Sequence, residues 1–352
     1  MSDSNIVQGG PEAQSAATGT NSYESVTTVL AANDSTDFGK LATLAQSLAA
    51  KAPELAGILR SSSVRTQVDI YTRLDAEAVL QQTRFMHELT TANICLMATG
   101  VLSGLVLVVG KLGSLIGLPS VKSVSLMLGG AILVLGAWAA MFTYKARESD
   151  RLGRWLGARG AAEMARITAF HTIATEAAAK GRVVASDALA LLRMHLLDNQ
   201  RSWLEMRARR HRRSSERTAT WGGIATGLAF IAGSGAVIAA FQPDQTWLAL
   251  SGVLGAAIGA YAVNREGLRR DRANADRYEK AAVALDALAG RFDAVAKEVF
   301  AGKADALTAY ATAITEQLAT EHKQWLDGTA QAESIIAKLD AELHKVGNPD
   351  TK

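Results

Sequence analysis

Four stretches of this chain contain no Asp, Glu, Lys, Arg or His: residues 92–110, 124–144, 221–241 and 247–263. Each is close to the ~20 residues that a helix rising 1.5 Å per residue needs to cross a ~30 Å hydrocarbon core. The competing reading is a set of buried helices in a soluble protein. Four charge-free runs would then need a very large core around them, so hydropathy favours membrane spans. The runs fall into pairs. Residues 111–123 separate the first two and residues 242–246 the last two, and connections this short force antiparallel helical hairpins. Phe142, Tyr144, Trp221, Phe241, Trp247 and Tyr261 stand near the run ends, where amphipathic rings meet lipid head groups. The pattern predicts an all-α integral membrane protein with four transmembrane helices in two hairpins and long cytoplasmic helices.

Outside these runs the apolar positions recur at helical spacing. Residues 38–51 predict a short helix that Pro53 ends or kinks, and residues 64–91 a helix leading straight into the first span. Residues 145–217 read as 73 helical residues, broken at most near Gly181, since no proline lies between Pro119 and Pro243. After Val263, Leu285, Leu288, Phe292, Val295 and Val299 alternate steps of three and four. The pattern resumes at Leu307, Ala311, Ile314 and Leu318, and again at Ile336, Leu339, Leu343 and Val346. Such a coiled-coil-like seam needs a partner helix, either from the same chain or from a second copy. The first 36 residues are rich in Ser, Thr, Asn, Gly and Gln, with no apolar stretch flanked by basic residues. They predict a disordered tail rather than a secretory signal.

The order of polar helix, span, turn, span and basic helix occurs twice, beginning near Val64 and near Ser186. The predicted domains are a tail at 1–36, a first hairpin unit at 37–185, a second at 186–326, and a C-terminal helical segment and tail at 327–352.

Charge fixes an expected orientation. The 352 residues carry a net charge of only +3, and 49% are apolar. Mean hydropathy is slightly positive, at +0.09. Within 20 residues of the outer run ends there are two basic residues before the first run, five after the second, seven before the third and six after the fourth. The hairpin turns hold only Lys111 and Lys122. The positive-inside rule then puts both termini and the central segment in the cytoplasm.

Candidate chemistry is sparse. The single cysteine, Cys95, excludes an intrachain disulfide and a thiolate zinc cluster. The six histidines, His87, His171, His195, His211, His322 and His344, show no metal-ligand spacing. No Walker loop, nucleophile elbow or dinucleotide fingerprint occurs, so no catalytic residue, cofactor or metal is expected. Gly100 and Gly104, Gly223 and Gly227, and Gly255 and Gly259 repeat at spacing four, which lets helix backbones approach closely. Arg207, Arg209, Arg210, Arg212, Arg213 and Arg217 form the densest basic run. Without interleaved aromatic residues it reads as topology and anionic lipid contact rather than nucleic-acid binding. Trp155, Arg159 and Glu163 share one helix face, as a structural clamp or as an ordinary interfacial ion pair. The runs hold no ionisable group for coupled transport. Their polar side chains are Asn93, Thr99, Ser103, Ser125, Thr143, Thr226, Ser234 and Ser251. A pore lined by small and hydroxyl residues would need several copies, because four helices enclose little space.

One resemblance bears on function. Residues 197–203 (Leu197, Asp198, Asn199, Gln200, Arg201, Ser202, Trp203), with Ala208 and the arginine run, resemble the helix leading into the hairpin of SLATT-type two-span domains. Tyr278, Leu285 and Leu288 resemble the helix that follows that hairpin, and Glu321 and Trp325 its closing helix. Tyr71, Arg73 and Leu74, then Trp155, Arg159 and Glu163, form a fainter first copy. The resemblance spans residues 64–326. It implies a bacterial inner-membrane effector, pore-forming after oligomerisation on a cytoplasmic signal, in antiphage or conflict systems. The alternative is a non-conducting anchor or scaffold that recruits a cytoplasmic partner. The expected partners are the lipid membrane, further copies of the chain and a cytoplasmic signalling protein.

Overall fold

The computed structural model describes residues 11–32, 38–116, 121–241 and 248–330, and among them every regular element is helical. In chain order these are α1 (Pro11–Ala32), a 3₁₀ turn (Phe38–Lys40), α2 (Leu41–Leu48), α3 (Pro53–Leu59), α4 (Ser62–Ile116), α5 (Val121–Glu148), α6 (Arg151–Ala179) and α7 (Arg182–Leu191). A π-helical segment (Leu192–Asp198) leads into α8 (Asn199–Phe241). Then come α9 (Leu248–Arg269), α10 (Asp271–Gly290), α11 (Phe292–Phe300) and α12 (Asp305–Ala330).

The chain divides into two compact units. A helical bundle takes Met1–Ala78, Leu156–Ala208 and Asp276–Gln324, and an apolar unit takes Val79–Trp155, Arg209–Ala275 and Trp325–Lys352. This corrects the expected division at residue 185: each half of the sequence contributes to both units. The physical reason is composition. The apolar halves of the long helices associate with one another, and the polar halves do the same.

The bundle is built around α7. Every residue from Val184 to Leu191 is buried, as in a helix packed on all sides. Gly181, at φ +102°, breaks the chain between α6 and α7 in a conformation that only glycine adopts freely. α1, α3 and α11 all pack on α7. Phe38 meets Tyr71 edge-on with ring centroids 4.9 Å apart, and Phe170 at 5.4 Å. Pro53 occupies the first turn of α3, where its missing N–H costs nothing, so it starts a helix as well as ending the one before.

Several expectations require correction here. The 1–36 tail contains the 22-residue helix α1. Val26 and Leu30 on α1 are buried, and Tyr23 meets Phe300 edge-on at 5.6 Å. A three-to-four-residue apolar stripe within a polar composition is enough to dock a helix on a preformed core. The 73-residue helix has a second break, at Asp150, which takes φ +44° between α5 and α6. Arg270, at φ +48°, breaks the chain at the matching place between α9 and α10. α5 and α9 thus end in the same kind of kink. The Leu285–Val299 seam bends between α10 and α11 and lies in the bundle's own core, together with Leu307, Ala311, Ile314 and Leu318. Residues 336–346 of that pattern lie outside the described residues.

In the apolar unit, small residues set the helix contacts. A Cβ at Gly100 would lie 2.8 Å from Ala257 Cβ, so α4 and α9 approach closely there. At Gly255 a Cβ would lie 2.9 Å from the Ala225 carbonyl oxygen, at Gly252 3.0 Å from Ala232 Cβ, and at Gly259 3.4 Å from Ala225 Cβ. Gly104 is buried. Gly223 and Gly227 do not pack within the chain, because a Cβ on either would meet nothing within 4 Å. α8 turns Ala225 and Ala232 toward α9 instead, and leaves the Gly223–Gly227 face open. Two helical stretches are long and apolar enough to cross a membrane, Ser62–Gly110 and Val121–Ala179. Only 22% and 6% of their most apolar windows are buried, unlike the core helix of a soluble protein.

α1 is held partly by a polar contact. Ser22 Oγ donates to Asp187 Oδ1 at 2.7 Å. Burial pushes the Asp187 carboxyl up from 3.8 to about 6, and the Ser22 hydrogen bond only partly opposes this. A carboxyl raised in the folded state costs nothing while protonated in both states. It destabilises progressively as pH rises from its ordinary value through about 6. Asp187→Asn is therefore expected to raise the thermal midpoint by several degrees at pH 7.5 and to leave it unchanged at pH 4, measured by circular dichroism.

Candidate functional site

The chain passes between the two units at five places, on α4, α6, α8, α10 and α12. Each of these helices supplies a side chain to one layer inside the bundle, within about two or three helical turns of its crossing. α4 supplies Tyr71 and Asp75, and α6 supplies Arg159, Glu163 and Arg166. α8 supplies Trp203 and Arg207, α10 supplies Arg277 and Tyr278, and α12 supplies Glu321 and His322.

Ion pairs bind the layer. Arg159 donates to Asp75 and, at 2.6 Å, to Glu163 Oε1. Arg166 reaches Glu163 Oε2 at 2.5 Å. Arg277 Nε donates to Glu321 Oε1 at 3.2 Å. Trp203 and Tyr278 meet edge-on at 5.7 Å, with Arg207 over the indole and Arg277 over the phenol. Arginine suits these positions because its planar fork grips two carboxylates at once and stacks on rings.

Burial and charge act differently on the two glutamates. Burial alone would raise Glu163, but the guanidiniums of Arg166 and Arg159 outweigh it and hold the carboxyl below its ordinary range. Burial raises Glu321, and Arg277 only partly offsets this while Glu163 adds to it. Burial lowers His322, with Arg159, Arg166 and Arg277 adding to the effect against Glu163. Arg159, despite burial, is held firmly charged by Glu163 and Asp75.

The apolar unit has its own polar anchors. Asp271, at the start of α10, accepts from Ser214 Oγ at 2.5 Å and pairs with His211 Nδ1 at 2.7 Å. Burial would raise this carboxyl, but the two hydrogen bonds prevail and lower it. Arg151 pairs with Glu88 at 2.8 Å. Asn93 donates to the Tyr261 carbonyl at 3.3 Å and accepts from Asn264 at 3.4 Å, joining α4 to α9.

Of the expected clamp, Arg159 and Glu163 pair as the spacing suggested. Trp155 belongs to the apolar unit, where its ring lies 6.0 Å from Phe85 and 5.5 Å from Trp325. The sequence reading missed Asp75, Arg166, Arg277, His322, Ser214 and Asp271. Asp271 carried a signal, as an acid flanked directly by Arg269, Arg270 and Arg272. Arg166 carried one too, three residues after Glu163 on the same helix, whereas Asp75, Arg277, His322 and Ser214 meet partners on distant helices. Among the described residues, no three His, Cys, Asp or Glu side chains are grouped as metal ligands would be.

No protein-family model, curated protein or solved structure matches this chain. The functional reading therefore rests on the geometry above and on the motif resemblance already described.

Removing one partner of a buried ion pair leaves the other uncompensated, at about 3–5 kcal/mol. Glu163→Gln is expected to destabilise the bundle by about 3 kcal/mol. Glu321→Gln should cost less than Glu163→Gln, because burial outweighs Arg277 at Glu321 whereas Arg166 and Arg159 outweigh burial at Glu163. Chemical denaturation of the two variants in detergent checks the ordering, and equal losses would refute the opposite effects of burial and charge on the two glutamates.

Proposed function

We propose that this chain is a multi-pass effector of the bacterial inner membrane. Its four charge-free runs cross the bilayer as two hairpins, and both termini lie in the cytoplasm. Several copies assemble, and a cytoplasmic signal received by the helical bundle opens the membrane to ions. One observation carries the reading. All four runs fall in a single compact unit, and each presents a large apolar side chain outward: Leu107 at 61% exposure, Leu126 at 78%, Phe230 at 75% and Val263 at 72%. Apolar surface on that scale is stable against lipid or another copy and not against water. The open Gly223–Gly227 face supports contact between copies. The charge layer supports signalling, since each helix passing between the units carries part of it. The likeness of residues 197–203, 278–288 and 321–325 to SLATT-type domains supports the effector role.

Two glycine variants separate assembly from folding. Gly100→Leu puts a side chain where a Cβ already lies 2.8 Å from Ala257, so folded protein should fall sharply. Gly227→Leu meets open space within the chain, so the protein should fold normally. In cells expressing the full chain with its operon partners and trigger, a potential-sensitive dye should report depolarisation. Gly227→Leu should reduce it at least tenfold at equal protein level. An intact potential in the triggered parent would replace the pore with a non-conducting scaffold.

A further inference from the structure

The fold sorts the six arginines that precede the third apolar run. Arg207 is held over Trp203 at 5.1 Å, and Arg209 and Arg212 have partners within the chain. Arg210, Arg213 and Arg217 are exposed, and among the described residues no carboxylate holds them. At 100° per residue, positions 210, 213, 217, 221, 224 and 231 of α8 fall within about 80° of arc. The last three are Trp221, Ile224 and Ile231, exposed at 47%, 45% and 48%. A single outward face thus reads Arg, Arg, Arg, Trp, Ile, Ile along the helix.

That order matches the layers of a bilayer leaflet. At 1.5 Å per residue, Arg217 lies ~6 Å and Arg213 ~12 Å along the axis from Trp221. The head-group zone outside the hydrocarbon is roughly 5–8 Å deep. With the indole at its inner edge, Arg217 stands in that zone and Arg213 just outside it, where its charge still faces the anionic surface. Two guanidiniums about one turn apart form a fork for phosphodiester oxygens. A soluble polyanion would use the arginines and leave Trp221, Ile224 and Ile231 in water, whereas a phospholipid covers both ends of the face.

We infer that the Arg213–Arg217–Trp221 face of α8 is a docking surface for the head group of an anionic phospholipid. The inference rests on the membrane reading above and not on conduction. The test uses the full chain in nanodiscs of phosphatidylcholine containing a minor fraction of phosphatidylglycerol, with native mass spectrometry counting the phosphatidylglycerol retained. Each arginine at the surface contributes about fivefold. Arg213→Gln with Arg217→Gln should therefore cut retention by twentyfold or more. Arg209→Gln with Arg212→Gln should change it less than twofold. Equal loss in both pairs, or no loss in the first, overturns the site. Inorganic polyphosphate bound by the detergent-solubilised chain with the same arginine dependence, and not displaced by phosphatidylglycerol vesicles, also overturns it in favour of a soluble anion. Lipid selectivity that survives in a chain unable to depolarise cells upholds the site while the pore fails. A chain released from membranes by alkaline carbonate, without detergent, defeats both readings together.

Discussion

Everything in this molecule follows from the cost of placing charge-free backbone and side chains in the same solvent as arginine and glutamate. Within a bilayer no water is present to satisfy a peptide group, so each spanning segment must be helical from end to end. The apolar runs are helical throughout their described residues, and their glycines and alanines bring backbones close. Gly255 against the Ala225 carbonyl, and Gly100 against Ala257, are the tightest of these contacts. Helices α4 and α8, of 55 and 43 residues, extend well beyond a bilayer's thickness. Their polar portions join α1–α3, α6, α7 and α10–α12 in the bundle.

The bundle's charge layer answers a second constraint. Helices rich in alanine pack closely but with little to choose between registers. Paired buried charges penalise a slip, because displacing one helix by a residue strands a guanidinium or a carboxylate away from water. Glu163 is the hub: it pairs with Arg159 and Arg166, and Arg159 in turn reaches Asp75 on α4. A network whose members come from α4, α6, α8, α10 and α12 couples those helices, since a shift of any one changes the pairing of the others.

The sequence disclosed the parts governed by local pattern. The helical character of the charge-free runs, the continuity of α4 from polar into apolar residues, and the Arg159–Glu163 pair were all legible from spacing. What escaped was set by partners far away in the chain. α1 looked disordered because its average composition hides Tyr23, Val26 and Leu30, whose value depends on the α7 surface that receives them. Gly223 and Gly227 carry the same motif as Gly255 and Gly259, yet only the latter pair faces another helix of this chain, and rotation about a helix axis has no local code. Asp150 and Arg270 adopt left-handed backbone without being glycine, so nothing in their identity announced the two kinks.

The most direct test of the central claim is a topology measurement with a single thiol. In a Cys95→Ala background, cysteines placed at Lys122, Asp244, Arg154 and Arg213 are exposed in turn to a membrane-impermeant maleimide on intact spheroplasts. The account predicts labelling at 122 and 244 from outside, and labelling at 154 and 213 only after permeabilisation. Labelling of 244 only after permeabilisation, with 122 reached from outside, would contradict it, leaving the second pair of apolar runs on the cytoplasmic side.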